Sequence, residues 1–327
     1  MNIFLTGGTG YLGSTLISRL IGEKEVVKVI CLVRNRERAH ELEAKIEFPD
    51  KLEFVDGDLR NHDYDLYNIK AVIHLACEHD PLICERKSGE VIELNVGGAN
   101  RLIEAVRKFR VPYFIFISAF GVYGKHESMP LTEDLICKPN ATKFLITYAN
   151  EVLTRSLAYS FTRFAILRLV HMFGVGTLPS RIEVELTNKF AKSACIAEDL
   201  TIYGNGNQTV DLVHVRDVCD CIYRLLNSSD SAWNETYNVG GGRAISINEL
   251  ADIYVKASLE IGLKAPIKTY VEAEHYIESK GLASVWLDIS KVRDKVGWIP
   301  KTSIEEGVKE LIIANIAGHV QGLNQLG

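Results

Sequence analysis

Residues 6–13 read TGGTGYLG, with glycines at Gly7, Gly10 and Gly13. The loop follows a short apolar run and opens a helical pattern. Without side chains at those positions, backbone N–H groups can approach a pyrophosphate at a helix N-terminus, where the helix dipole favours negative charge. The chemistry implied is dinucleotide binding, with Thr6, Gly7, Gly10, Tyr11, Leu12 and Gly13 forming the cradle. The next apolar run ends in CLVRNRER, residues 31–38. A carboxylate at the tip of that strand would hold a ribose 2′-hydroxyl, yet Val33 stands there and Arg34 follows. A guanidinium suits a 2′-phosphate through charge-assisted hydrogen bonds, and Arg36 and Arg38 are placed to add to the field. These residues predict NADP(H), with NAD the weaker alternative.

The elements that position this loop are legible as short apolar runs alternating with helical stretches. Candidate strands cover residues 3–5, 29–33, 52–55, 71–75, 113–117 and 165–169. Their near-continuous Val, Ile, Leu and Phe content suits strands buried on both faces. Helical patterns cover 10–21, 90–109 and 140–159. Strands alternating with helices predict an α/β fold, a Rossmann-type doubly wound parallel sheet. After Gly174 the pattern becomes mixed, and helices return at 217–226, 247–259 and 304–317, with a short strand at 237–239. This predicts a dinucleotide-binding domain from 1–173 and 211–240, and a smaller, discontinuous C-terminal substrate lobe from 174–210 and 241–327.

Bulk properties exclude several classes. The 47% hydrophobic and 24% charged content is ordinary for a soluble globular chain. A net charge of -5 argues against a nucleic-acid partner. The opening MNIFLTGG lacks a basic n-region, so a signal peptide is not expected, and no apolar run is long enough to span a bilayer. The seven cysteines form no C-x-x-C, and Cys219 and Cys221 are too close to suggest zinc. Buried thiols in a reducing cytoplasm are expected, without structural disulfides or metal.

The third strand ends in Asp56-Gly57-Asp58-Leu59, and the fourth carries VIHLAC, residues 72–77. Together with the glycine loop these residues resemble the extended short-chain dehydrogenase/reductases, of the NAD-dependent epimerase/dehydratase type. The resemblance runs nearly end to end. Asn95-Val96 is similar to N-V-x-G-x-x, residues 116–124 to S-S-x-x-V-Y-G, residues 168–174 to R-P-x-N-x-Y-G, and residues 212–217 to F-V-H-V-D-D. The C-terminal signatures fall at 237–240, 288–291 and 297–300. The resemblance implies that Asp58 and Leu59 meet the adenine side of the cofactor. Leu75, Ala76 and Thr147 would then line its ribose and nicotinamide side. It also implies a homodimer built on the helices at 90–109 and 140–159.

In that family a Ser or Thr, a Tyr and a Lys carry catalysis: the Tyr moves the proton, the Lys lowers its pKa, and the hydroxyl binds the reacting oxygen. Through its V-Y-G, residues 116–124 place the hydroxyl at Ala119. Ser118 is one residue earlier, and strand alternation points it the other way. The pattern P-x-x-x-Y-x-x-x-K-x-x-x-E matches at Pro139 and Glu151 with no gap, which puts Lys143 at the Tyr position and Thr147 at the Lys position. Tyr148 lies about 140° round the helix from residue 143 and is set aside. His171 replaces the family's substrate-facing Asn. The catalytic candidates are therefore Lys143, Tyr123 and His171, with His171 read as a possible proton donor.

Glu78 and His79 follow the fourth strand and could also face the pocket. Substrate-side candidates are Ser118, Ala119, His171 and Lys280. Val210 stands where the family often has an Arg for a nucleotide diphosphate. The expected function is an NADP(H)-dependent ketoreductase acting on a nucleotide-linked sugar or other small carbonyl compound, with a displaced acid. The alternatives are a nucleotide-sugar epimerase and a non-catalytic NADP(H)-binding sensor or scaffold.

Overall fold

The computed structural model describes residues 1–179, 186–272 and 284–324. β1 (Asn2–Thr6) passes through the glycine loop into α1 (Tyr11–Ile21); β2 (Lys28–Val33), α2 (Arg36–Glu43), β3 (Leu52–Asp56) and β4 (Ala71–His74) follow. Next come α3 (Pro81–Arg86), α4 (Ser88–Ile92), a π-helical turn at Glu93–Gly97, and α5 (Gly98–Lys108). β5 (Tyr113–Ala119), α6 (Thr142–Arg155), β6 (Arg163–Leu169) and β7 (His171–Phe173) lead to α7 (Leu186–Cys195). The chain continues with β8 (Leu200–Tyr203), β9 (Thr209–Val210), β10 (Leu212–His214), α8 (Val215–Leu226), β11 (Glu235–Val239), β12 (Ile245–Ser246) and α9 (Ile247–Glu260). β13 (Lys268–Val271), α10 (Ser290–Val296) and α11 (Ile304–Asn324) close it.

Seven strands form one parallel sheet in the order β11-β6-β5-β4-β1-β2-β3. The chain order reverses between β1 and β4, so a crevice opens beyond their C-terminal ends, where ligands bind in sheets of this kind. At that point Thr6 pairs with His74, and their Oγ1 and Nδ1 atoms lie 2.7 Å apart. The fold is the doubly wound α/β sheet that the alternation predicts.

Two large apolar clusters cover the faces of the sheet. A third, separate cluster joins Phe173, Phe190, Ile202, Leu250, Tyr254 and Leu311, which belong to the later segments. One stretch of the later segments packs on the sheet. Leu287, Val292 and Trp298 join the first cluster, and the fully buried Trp298 donates its indole N–H to Asp217 O at 2.9 Å. The reason is physical: a large indole needs both an apolar site and an acceptor, and α8 supplies them.

The expected helix at 90–109 is interrupted. Asn150 of α6 donates to Asn95 O at 3.1 Å, within the π-helical turn. Asn95 in turn holds the backbone of Glu78, accepting from its N–H and donating to its carbonyl, both at 2.8 Å. The turn therefore fixes the loop that leaves β4.

Beneath the crevice lies a buried ion pair. Glu151 of α6 accepts from Arg168 Nε at 2.9 Å and from Nη2 at 2.7 Å, with both side chains almost wholly buried. Ser118 adds a third bond to Glu151 at 2.6 Å. Removing one member of such a pair strands the other charge out of water. Glu151→Ala should therefore lower unfolding free energy by about 3–5 kcal/mol in a denaturant titration; a loss below about 1 kcal/mol, the range of an exposed pair, would contradict this role.

Candidate active site

The glycine loop is packed too tightly for side chains. Gly7 has φ +77°, and a Cβ there would sit 2.7 Å from Ala76 N. A Cβ on Gly13 would sit 2.2 Å from Gly7 O. The loop thus lies directly against the end of β4, next to Leu75 and Ala76. Gly10 caps α1 without a side-chain hydrogen bond, and the first turn holds no acidic residue. The N-terminal N–H groups and the positive end of the dipole are left for an anion. These features fit a dinucleotide pyrophosphate, with Tyr11 and Leu12 contributing through backbone. The Tyr11 hydroxyl itself donates to Gly174 O at 2.7 Å.

At the tips of β2 and β3 the arginines divide. Arg34 is well exposed, and its Nη1 is 3.7 Å from Asp58 Oδ2. Arg60 grips Asp58 with two side-chain bonds of 2.8 and 2.9 Å. That grip holds the Asp58 carboxyl down at about 2, the Arg60 bond being the main cause. Arg36 pairs with Asp56 and also donates to Phe54 O. Arg38 donates to Thr9 O and Pro179 O, at 3.2 and 3.3 Å. Arg36 and Arg38 are thus engaged elsewhere and do not form the expected phosphate field around Arg34. Leu59 is buried, and a Cβ on Gly98 would press against it at 2.6 Å.

The residues that the resemblance assigns to the reaction come from the ends of β5, α6 and β7. Ala119 ends β5, and Phe120 follows with its ring 4.9 Å from that of His171. Phe144 fills the space over Gly121, where a Cβ would lie 2.1 Å from its ring. The Lys143 ammonium stands 4.6 Å above the Phe144 ring. His171 is exposed at the start of β7, with the Phe120 ring against its own. Desolvation by the surrounding protein pushes its pKa down to about 4, with the charge of nearby Lys143 as the second cause. That shift favours the neutral imidazole near pH 7, in which one ring nitrogen carries a proton and the other is free to accept one. Cys77 also faces the cleft, and burial, followed by Cys84 and Glu78, pushes its thiol up to about 12 while Lys143 opposes.

The other candidates do not join this group. Tyr123 is fully buried; its hydroxyl donates to Asn238 Oδ1 at 2.7 Å, and its ring lies under the Arg168 guanidinium at 4.6 Å. Burial pushes its pKa up to about 12, so it is corrected to an interior residue. Ser118 is committed to Glu151, on the side of β5 away from Ala119, and is corrected likewise. The Thr147 hydroxyl donates to Lys143 O at 2.8 Å, within its own helix. The Glu78 carboxylate accepts from Asp80 N at 3.1 Å, while His79 is exposed. Val210 pairs with Ile245 in a short antiparallel ribbon. Lys280 lies outside the described residues. Among the described residues no helix is long and apolar enough to cross a membrane.

The sequence profile described as the NAD dependent epimerase/dehydratase family matches residues 3–240, well over half of the chain. The chain belongs to that family. It is a family of enzymes, and this chain is an enzyme of its dehydrogenase type. A protein of Methanocaldococcus jannaschii described as a putative UDP-glucose 4-epimerase is 28% identical over 317 residues, covering 95% of this chain and 97% of the relative. UDP-glucose 4-epimerase of Bacillus subtilis is also 28% identical, with 94% of each chain covered. In structure, a variant of UDP-glucuronic acid 4-epimerase from Bacillus cereus, solved with NAD and a fluorinated UDP-glucuronic acid, superposes with a TM-score of 0.83. It is 22% identical and covers 98% of this chain and 100% of that one, a likeness that shows the fold.

Within this epimerase/dehydratase frame, Phe120, Phe144 and Cys77 were missed as cleft residues from the sequence. The register that reveals Lys143 also brings Phe144 to the site, since the two are neighbours on one helix. Tyr123→Phe should lower stability by about 1–3 kcal/mol, by leaving Asn238 with a buried unmet acceptor, and leave kcat unchanged. A loss of kcat without loss of stability would return Tyr123 to the cleft.

Proposed function

We propose that the protein binds a nicotinamide dinucleotide and a nucleotide-linked sugar, and epimerises the sugar by oxidising and re-reducing one carbon. The observation that carries this reading is the grouping of His171 and Lys143 around the Phe120 and Phe144 rings, which supports a base and a cation acting on one oxygen. Oxidation of a sugar hydroxyl needs a proton acceptor first, and a neutral imidazole is one. The Lys143 ammonium stabilises negative charge that develops on the same oxygen. Phe120 and Phe144 keep that oxygen away from water, which strengthens the effect of the charge.

The loop at 6–13, with Asp58, Leu59, Leu75 and Ala76, would hold the dinucleotide, which when bound supplies the hydride acceptor. The relatives described as UDP-glucose 4-epimerases support the substrate class. Arg34 favours a second reading, an NADP(H)-dependent ketoreductase on the same class of sugar, because its exposed guanidinium suits a 2′-phosphate better than a ribose hydroxyl. A homodimer is part of the proposal: Leu145 and Val152 leave one exposed apolar stripe on α6, with exposed Ile92 on α4.

The test incubates the protein with NAD or NADPH and a panel of nucleotide sugars and their keto forms, followed by chromatography and cofactor absorbance. Product with no net absorbance change is expected; net loss of reduced cofactor would establish the ketoreductase instead. His171→Ala and Lys143→Ala should each lower kcat by about 10²–10⁴-fold. The rate should hold from neutrality down to a limb at about pH 4 and fall below it, because protonation removes the acceptor. A limb near the ordinary histidine value of 6.5 would contradict the assignment.

A further inference from the structure

Arg38 has a place in the structure that its sequence does not announce. Its Nε donates to Thr9 O in the glycine loop at 3.2 Å, and its Nη2 donates to Pro179 O at 3.3 Å. Pro179 lies on a strap, residues 174–179, which leaves β7 directly after Phe173. Asn35 caps the Arg38 N–H at 3.0 Å, and α2 is fixed by buried Ala39 and Leu42, so the guanidinium stands on a firm base.

The strap is sewn to the first turns of α1. Tyr11 donates to Gly174 O at 2.7 Å, and Gly176 lies so close to the Tyr11 ring that a Cβ would sit 2.6 Å from Cδ2. Thr177 N donates to Thr15 Oγ1 at 3.2 Å, and Leu178 N to Ser14 Oγ at 3.1 Å. The hydroxyls of Ser18 and Thr177 lie 2.9 Å apart. Ser14 and Thr15 are buried, and buried hydroxyls in a helix facing a core are costly without partners. These hydroxyls already donate to carbonyls within α1, and the strap adds N–H donors to the oxygens of Ser14 and Thr15. At its other end Gly174, with φ +100°, lies against His214, and β7 pairs with β10. A continuous path therefore runs from the glycine loop through Arg38 and the strap to β7, whose first residue is His171.

We propose that Arg38 is a positioning residue that clamps the glycine loop to the strap and so fixes His171 relative to the dinucleotide cradle. The kinetic part rests on the reading of His171 as the proton acceptor; the mechanical part does not. Small misplacements of a reacting group cost rate rather than binding. Arg38→Ala should lower kcat by about 10–100-fold, and leave the dinucleotide KM changed equally for NAD and NADP forms. Arg38→Lys, able to reach one carbonyl, should recover part of the rate. Arg34→Ala is the contrast, since it should alter the preference between the two dinucleotides.

The experiment measures these constants together with backbone hydrogen exchange of the unliganded protein by mass spectrometry. Arg38→Ala should raise exchange in peptides covering 7–13 and 172–178 by about tenfold, with the far strands of the sheet unchanged. Arg38→Gln serves as a second variant should the alanine form unfold. Selective weakening of NADP binding would overturn the proposal and make Arg38 a phosphate ligand. Unchanged exchange in both segments would overturn it as well. A wild-type protein that turns over no sugar would sink the function of the preceding subsection, while the exchange comparison would still decide the clamp.

Discussion

Glu151 and Arg168 set the register on which the site depends. Two buried opposite charges with paired hydrogen bonds tolerate no shift, because sliding α6 by one residue would leave each in an apolar interior. With Glu151 pinned to β6, the helix carries Lys143 two turns away, about 12 Å along its axis, to the mouth of the crevice. The same pair consumes Ser118 and stacks on Tyr123. One interaction therefore explains why two polar residues near the site take no part in it, and what holds Lys143 in its place along α6.

The cleft that results is electrostatically unlike one built on a tyrosine and a lysine. Its cation sits on the residue at the tyrosine position, and the proposed base, His171, comes from β7. Each influences the other: the Lys143 charge helps keep the imidazole unprotonated. The aromatic rings of Phe120 and Phe144, 6.3 Å between centroids, line the space between them. The dinucleotide end is conventional in its glycine cradle, but differs in the basic tip of β2.

Much of this was legible in the chain, and for physical reasons. The glycine loop is readable because no other residue fits against Ala76 or Gly7 O. The central strands are readable because both faces are buried. The register of α6 is readable because Pro139 and Glu151 agree on it. Other features depend on distant partners. The π-helical turn is met by Asn150, which donates to Asn95 O from 55 residues away. Arg38 looks like a phosphate ligand until Pro179, 141 residues on, takes its Nη2. Tyr123 looks catalytic until Asn238 claims its hydroxyl. The short strands β7 to β10 hold too few residues for any periodicity to show.

The central claim is that His171 and Lys143 sustain removal and return of a hydride at one sugar carbon. A nucleotide sugar deuterated at the reacting carbon tests it directly, with the product followed by proton NMR in ordinary water. The account predicts an epimerised product that retains deuterium at that carbon, formed by the wild type and lost in the His171→Ala, Lys143→Ala double variant. Product whose deuterium has exchanged with solvent, or equal conversion by the double variant, would contradict it.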